Sequence, residues 1–357
     1  MSILLVQEDL EESKMKNNNN IVKPNEISEG TKMSMKTRII VALIGLCVVL
    51  PPFFLGDWFF LALVLALTVI GCWEIVHCGK KGYSFWLYFV TITVGVLCVN
   101  WPLFQGLIND LIQGNPSHGH AFDYFRSMYL SLPVMFIGIC LLFLVAILHQ
   151  SFTVKDGCFI TAMVVIVSLG LQGLLFVRYF PSFINNQTRD WFNGFDNFAS
   201  CSFAAYGVLG TFMTDIGAYF VGVFFGKNKI NERISPKKTY EGFWGGIVIS
   251  ALVTMAFAFI LSATGHSILP GVYDLEHWYN IVFMSILMPF MATLGDFVFS
   301  AVKRYYEIKD FGNIMPGHGG VLDRLDSIVF VFASLALFTL LFFGLAYGVN
   351  GVKGLFV

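Results

Sequence analysis

Ile281-Val-Phe-Met-Ser-Ile-Leu-Met-Pro-Phe-Met-Ala-Thr-Leu-Gly-Asp-Phe-Val-Phe-Ser300 is an unbroken apolar run that carries one formal charge, Asp296. A helix needs about 20 mostly apolar residues to cross the hydrocarbon core of a bilayer. This run meets that length, and it is not alone. Hydrophobic residues make up 56% of the 357 positions and charged residues 13%, against about 25% charged in soluble domains. So large a surplus of apolar surface has one good solvent, the membrane. The net charge of −1 speaks against a globally basic nucleic-acid binder, so anion binding must come from local clusters.

Working outward, nine candidate spans are expected: 39–55, 58–77, 84–104, 127–148, 158–178, 202–225, 243–264, 278–300 and 328–348. In lipid the backbone must satisfy its own hydrogen bonds, and helices do so locally. The expected fold is therefore all-α and polytopic. The first run is interrupted by Pro51-Pro52, and no small-residue cleavage site follows it, so it reads as an uncleaved anchor. Residues 1–37 are polar with an Asn run and read as a disordered cytosolic tail. Residues 38–200 then read as an N-terminal membrane region, and 201–357 as a C-terminal one expected to carry whatever chemistry its motifs support. All basic residues except Arg126, Arg178, Arg189 and Lys353 fall on one side if the N-terminus is cytosolic, as the positive-inside rule favours. The seven cysteines lie singly in or beside apolar runs and read as small buried hydrophobes.

Two of the loops on that side concentrate charge beside Gly and Pro. One runs from Gly226 to Gly242 and holds Ser235-Pro-Lys237-Lys238-Thr239. The other runs from Lys303 to Asp326 and holds Pro316-Gly-His318-Gly319-Gly320. Lipid headgroups explain basic loops in general. They do not explain the Pro-Gly-His-Gly-Gly string, which can present backbone N–H groups to phosphate oxygens. Acids inside the spans sharpen this. Asp215 and Asp296 each sit among apolar residues, where a lone Asp costs roughly 2.5–3.5 kcal/mol on insertion scales. Packing against a basic neighbour is the plain alternative, yet Asp296, Ser300 and Lys303 share one helical face leading into the second loop. Magnesium takes a few carboxylates and fills its remaining positions with water and substrate phosphates. Lys and Arg neutralise charge on phosphorus oxygens during transfer. Asp296 and Asp323 can supply the carboxylates. Lys237, Lys238, Lys303, Arg304, Lys309 and Arg324 can supply the cations.

Ser300-x-Val-Lys303-Arg304, then Lys309-Asp310, then Pro316-Gly-His318-Gly319-Gly320-x-x-Asp323-Arg324-x-Asp326 resembles the signature of phosphatidate cytidylyltransferases, also called CDP-diacylglycerol synthases. Thr214-Asp215-x-Gly-Ala-Tyr-Phe, Gly226-Lys and the Ser235–Gly242 stretch look like the same family. The resemblance covers the C-terminal half; the N-terminal half is similar only in being polytopic and hydrophobic. It implies that CTP and phosphatidate give CDP-diacylglycerol and pyrophosphate with Mg²⁺, beside which the family suggests a second, monovalent cation. It further implies metal binding at Asp296 and Asp323, and catalytic roles for these two with Lys303 and Arg324. Substrate contacts are implied at Asp215, Ser235, Lys237, Lys238, Thr239, Ser300, Arg304, Lys309, Asp310, His318, Gly319, Gly320 and Asp326. The implied site lies at the cytosolic face, where CTP is available. A homodimer is a further expectation of the family, and details near Asp310 and Leu325 look bacterial, which implies the plasma membrane. In a eukaryote the endoplasmic-reticulum membrane would be expected instead.

Two other readings compete. A transporter explains Asp215 and Asp296 as an ion path but leaves both loop motifs unexplained. A CTP-dependent polyprenol kinase shares the nucleotide but resembles the signature weakly. A P-loop is rejected, because three residues rather than four separate Gly222 from Gly226-Lys227, and Asn228 follows.

Overall fold

The structure is a computed structural model. It describes residues 29–356, apart from 80–81, 114–120, 122–123, 126–131, 149–151, 187–197, 232 and 318. Ten helices and one hairpin follow in order. They are α1 (Glu29–Leu55), α2 (Asp57–His77), α3 (Phe85–Val99), α4 (Trp101–Gln113), α5 (Leu132–Leu148), α6 (Val154–Asn186) and α7 (Phe198–Phe225). Strands β1 (Lys229–Asn231) and β2 (Ser235–Thr239) pair antiparallel, and α8 (Tyr240–Ala263), α9 (Trp278–Tyr305) and α10 (Leu322–Phe356) complete the chain. Of the expected tail, 1–28 lie outside the described residues, while 29–37 form the first turns of α1.

Among the described residues seven helices are long and apolar enough to cross a membrane, which makes this an all-α polytopic membrane protein. The expected spans depart from the structure in three places. The run 84–104 divides into α3 and α4, bent by 72° at Asn100. Pro102 explains the break: its ring excludes the carbonyl four residues back, that of Cys98. Gln172 of α6 donates to that carbonyl at 3.4 Å, and the Asn100 side chain donates to Val96 at 3.0 Å. Of the run 127–148, residues 132–148 form α5, whose apolar stretch Pro133–Val145 is shorter than the other spans. The first run was expected to be interrupted at Pro51-Pro52, yet α1 continues through both prolines. The chain turns instead at Gly56 and Asp57, with φ of 66° and 44°. That turn releases the Phe53 carbonyl, which takes two hydrogen bonds of 3.0 Å from the buried Arg178 guanidinium.

Small residues set the packing of the C-terminal helices, as is usual where lipid offers no hydrophobic drive. Helices α7 and α8 meet along Thr214, Gly217, Ala218 and Gly222 on one side and Gly242, Gly246 and Ile249 on the other. Ser250 of α8 donates to the Gly210 carbonyl of α7 at 2.8 Å. Helix α10 lies against α6 so closely that a Cβ at Gly170 or Gly173 would collide with the main chain of Val329 or Phe332. It meets α9 in the same way, with Gly295 against the Asp326 carbonyl. These contacts bring one end of α7, α8, α9 and α10 to a common place, where the hairpin and the 306–321 loop emerge.

A candidate nucleotide-binding active site

Helix α7 contributes Asp215 and α9 contributes Asp296 to a cavity of about 500 Å³. The hairpin closes another side with Lys237, Lys238 and Thr239. Local chemistry shapes that hairpin. Asn231 accepts from the backbone N–H groups of Arg233 and Ile234 through its side chain, which makes the turn. Thr239 is the N-cap of α8, its hydroxyl accepting from the Gly242 N–H at 3.2 Å. Glu241, in the first turn of α8, accepts from the N–H groups of Lys227 and Asn228 at 3.1 and 3.3 Å and from the Asn228 side chain at 3.1 Å. Arg304 of α9 donates to the Ile234 carbonyl at 3.2 Å and ties the hairpin to the signature helix.

Asp296 holds Lys238 at 2.5 Å through one oxygen and accepts from the Ser300 hydroxyl at 3.2 Å through the other. The Lys238 ammonium also sits over the Phe297 ring, 4.2 Å from its centroid. Asp215 and Asp326 both lie within electrostatic reach of Asp296, with Lys238 and Arg324 near the first and Lys303 near the second. Asp326 also accepts from the Ser327 N–H at 2.8 Å. The hairpin thus meets the intramembrane acid and the helix that leads into the signature loop.

Asp323 has a different set of partners. One oxygen takes Lys303 at 3.0 Å, and the other accepts from the N–H groups of Phe311 and Gly320 at 2.8 and 2.9 Å. The two acids expected to share a metal are therefore each paired with a lysine, Asp296 with Lys238 and Asp323 with Lys303. The glycine loop also differs from expectation. Gly319 donates to the Met315 carbonyl, Gly320 to Asp323, and Val321 and Leu322 to Glu74. Their N–H groups serve the loop's own shape rather than pointing outward. Gly317 and Gly319 adopt φ of 77° and 86°, which only glycine takes without strain. Lys237, Lys309 and Asp310 are exposed, Ser235 is half-buried, and His318 lies outside the described residues.

Do these residues suit a magnesium ion? Among the described residues no three acidic, His or Cys side chains converge as a cage. Magnesium does not require one, since one or two carboxylates with water and phosphate oxygens satisfy it. Asp215 and Asp296, facing the same cavity with hard oxygen donors, fit that pattern.

Reasoning from sequence missed Glu74 and Glu241. Glu74 was detectable by the argument applied to Asp215 and Asp296, as an acid among apolar residues. Glu241 sits where helix starts favour a carboxylate.

The profile of the cytidylyltransferase family matches residues 36–342, which takes in the cavity, the hairpin and the signature. The chain belongs to that family. Among curated relatives, the phosphatidate cytidylyltransferase of Bacillus subtilis is 29% identical over 312 residues, covering 87% of this chain and 99% of that protein. The enzyme of the same name from Staphylococcus haemolyticus is 28% identical, covering 83% and 96%, and that from Haemophilus influenzae 28%, covering 87% and 99%. A cytidylyltransferase of this length is matched from α1 to α10. Its N-terminal helices are thus part of the shared body, although the sequence motifs lie in the C-terminal half.

Proposed function

We propose that the protein transfers the cytidylyl group of CTP to phosphatidate, giving CDP-diacylglycerol and pyrophosphate. The observation that carries this is the cavity between α7, α8, α9 and the hairpin, where Asp215 and Asp296 face Lys237 and Lys238. Membership of the cytidylyltransferase family and the names of the full-length relatives agree with it.

In this reading Lys237 and Lys238 receive the triphosphate and offset its charge. Thr239 and the start of α8 add a positive helix end to the same wall. The phosphate monoester of the lipid is already an adequate nucleophile, so a phosphate oxygen attacks the α-phosphorus of CTP as the bond to pyrophosphate breaks. Lys303 and Arg324 would steady the leaving group. Asp296, with Asp215 across the cavity, would hold Mg²⁺, and Asp323 would join by releasing Lys303. Bound there, the ion supplies Lewis-acid polarisation of phosphate oxygens. The lysines now paired with the acids would be freed to meet phosphate.

The distribution of Lys and Arg supports a cytosolic N-terminus and a site at the cytosolic membrane face. The seven long helices, the α3–α4 bend and α5 together would give the nine crossings the sequence suggests. The bacterial relatives support the plasma membrane as the location.

Purified protein in detergent, given labelled CTP, phosphatidate and Mg²⁺, is expected to yield labelled lipid and pyrophosphate in equal amounts. Folded protein that makes no labelled lipid across several acyl compositions would rule the reaction out. Label retained only as free CMP or CDP would point to hydrolysis instead.

A further inference from the structure

Glu74 is fully buried, one turn from the end of α2. Its two oxygens accept from the backbone N–H groups of Val321 and Leu322 at 2.9 and 2.8 Å, nearly 250 positions away in sequence. Those N–H groups open α10, where the helix leaves its donors unsatisfied and its positive end exposed. The residue preceding α10 is Val321, whose side chain has no oxygen to cap with. Glu74 provides that cap from another helix.

The loop is built to admit this carboxylate. A Cβ at Gly312 or at Gly320 would collide with the Glu74 side chain. One turn earlier on the same face of α2, Gly71 lets the Leu322 side chain approach. The bonds then run on without a gap. Gly320, next to Val321, donates to Asp323, which also gathers Phe311 and holds Lys303. Charge-assisted bonds of this kind are stronger than neutral ones, and in a buried setting they fix geometry.

We propose that Glu74 is a positioning residue for nucleotide transfer: from the N-terminal half it fixes the backbone of 320–322, and through it the place of Asp323. The proposal rests on the cytidylyl-transfer reading above for what Asp323 meets. Glu74 itself touches no substrate.

The test compares the full-length protein with Glu74→Gln and Glu74→Asp, each assayed per mole of folded protein. Hydrogen exchange over 311–322 is read in parallel. Glu74→Gln keeps the size but turns an NH₂ toward a backbone N–H. Supporting residues of this kind typically cost about 10–100-fold when altered. The expected result is such a fall in kcat, with KM for CTP raised severalfold and KM for phosphatidate unchanged. Exchange over 311–322 should quicken while that over 240–263 stays as in wild type. Glu74→Asp keeps the charge and should recover part of the loss. Wild-type kinetics in Glu74→Gln would overturn the proposal. So would a loss that only tracks the folded fraction, with no recovery in Glu74→Asp. If Glu74→Gln does not fold, Gly320→Ala presses a methyl against an intact Glu74. It should show the same kinetic pattern, and wild-type kinetics there would overturn the proposal equally. If the wild type itself makes no lipid product, the function reading fails, and exchange over 311–322 still decides the positioning role.

Discussion

The hairpin loop and the signature loop carry similar cargo, basic residues among glycines, but they are held in opposite ways. In the hairpin, Glu241 gathers the N–H groups of Lys227 and Asn228 in the open, and Lys237 stands exposed beside the cavity. In the signature loop, two carboxylates with little or no exposure, Glu74 and Asp323, take four backbone N–H groups and one lysine. Exposed pairs contribute little and exchange readily with water. Buried, charge-assisted ones do not. The comparison teaches a division of labour. The hairpin, which lines the cavity, is the part able to adjust around a nucleotide, and the signature loop is the more firmly held of the two.

The comparison can be broken most severely where the two loops meet. Asp296→Asn removes the acid that Lys238 holds, and kcat should fall by at least about 10²–10³-fold while the protein still inserts and purifies. Near-wild-type turnover would remove Asp296 from the chemistry. Next comes the signature loop. Lys303→Met leaves Asp323 without its cation in a site with little water, so both activity and thermal stability should drop. Breaking a buried pair costs roughly 3–5 kcal/mol, and the partial exposure of Lys303 places this case below that range. A variant that keeps its melting temperature would show that the loop is not held by this pair. The hairpin should be more forgiving. Glu241→Gln is expected to raise KM for CTP by no more than about fivefold and to leave the melting temperature in place. A larger loss than that of Lys303→Met would invert the division of labour. The smallest effect should lie outside both loops. Gln172→Leu strips a donor from the Cys98 carbonyl at the α3–α4 bend, costing about 1 kcal/mol in stability with turnover per folded molecule unchanged.

Much of this was legible in the chain. Asp215 and Asp296 were found because a carboxylate in an apolar helix needs a reason, and both line the cavity. The two basic loops were found by composition against an apolar background, and the signature in the second by its resemblance to a known family. What escaped reading depends on partners distant in sequence. The interruption of the third span is written locally in Pro102, but nothing near it announces that Gln172 would supply the stranded carbonyl. The glycine string looked like a phosphate cradle because glycine permits outward N–H groups. It permits inward ones equally well: Gly319 donates to the Met315 carbonyl and Gly320 to Asp323, while Glu74 holds the next two N–H groups from another helix. Pro51-Pro52 looked like a break, yet α1 runs through both and the chain turns only at Gly56 and Asp57.

The glycine seam between α7 and α8 bears on how this enzyme could change over evolutionary time. A Cβ added at Gly242 or Gly246 would lie 2.8 Å from the backbone carbonyl of Ala218 or Thr214, and main chain cannot rotate out of the way as a side chain can. The floor of the cavity is therefore closed to gradual tuning, since a single added methyl forces two helices apart. Variation in nucleotide preference is left to cavity residues outside the seam, such as Lys229, Ile230, Lys237 and Lys238 of the hairpin. A selection for altered base specificity should gather its first substitutions there and leave the seam untouched.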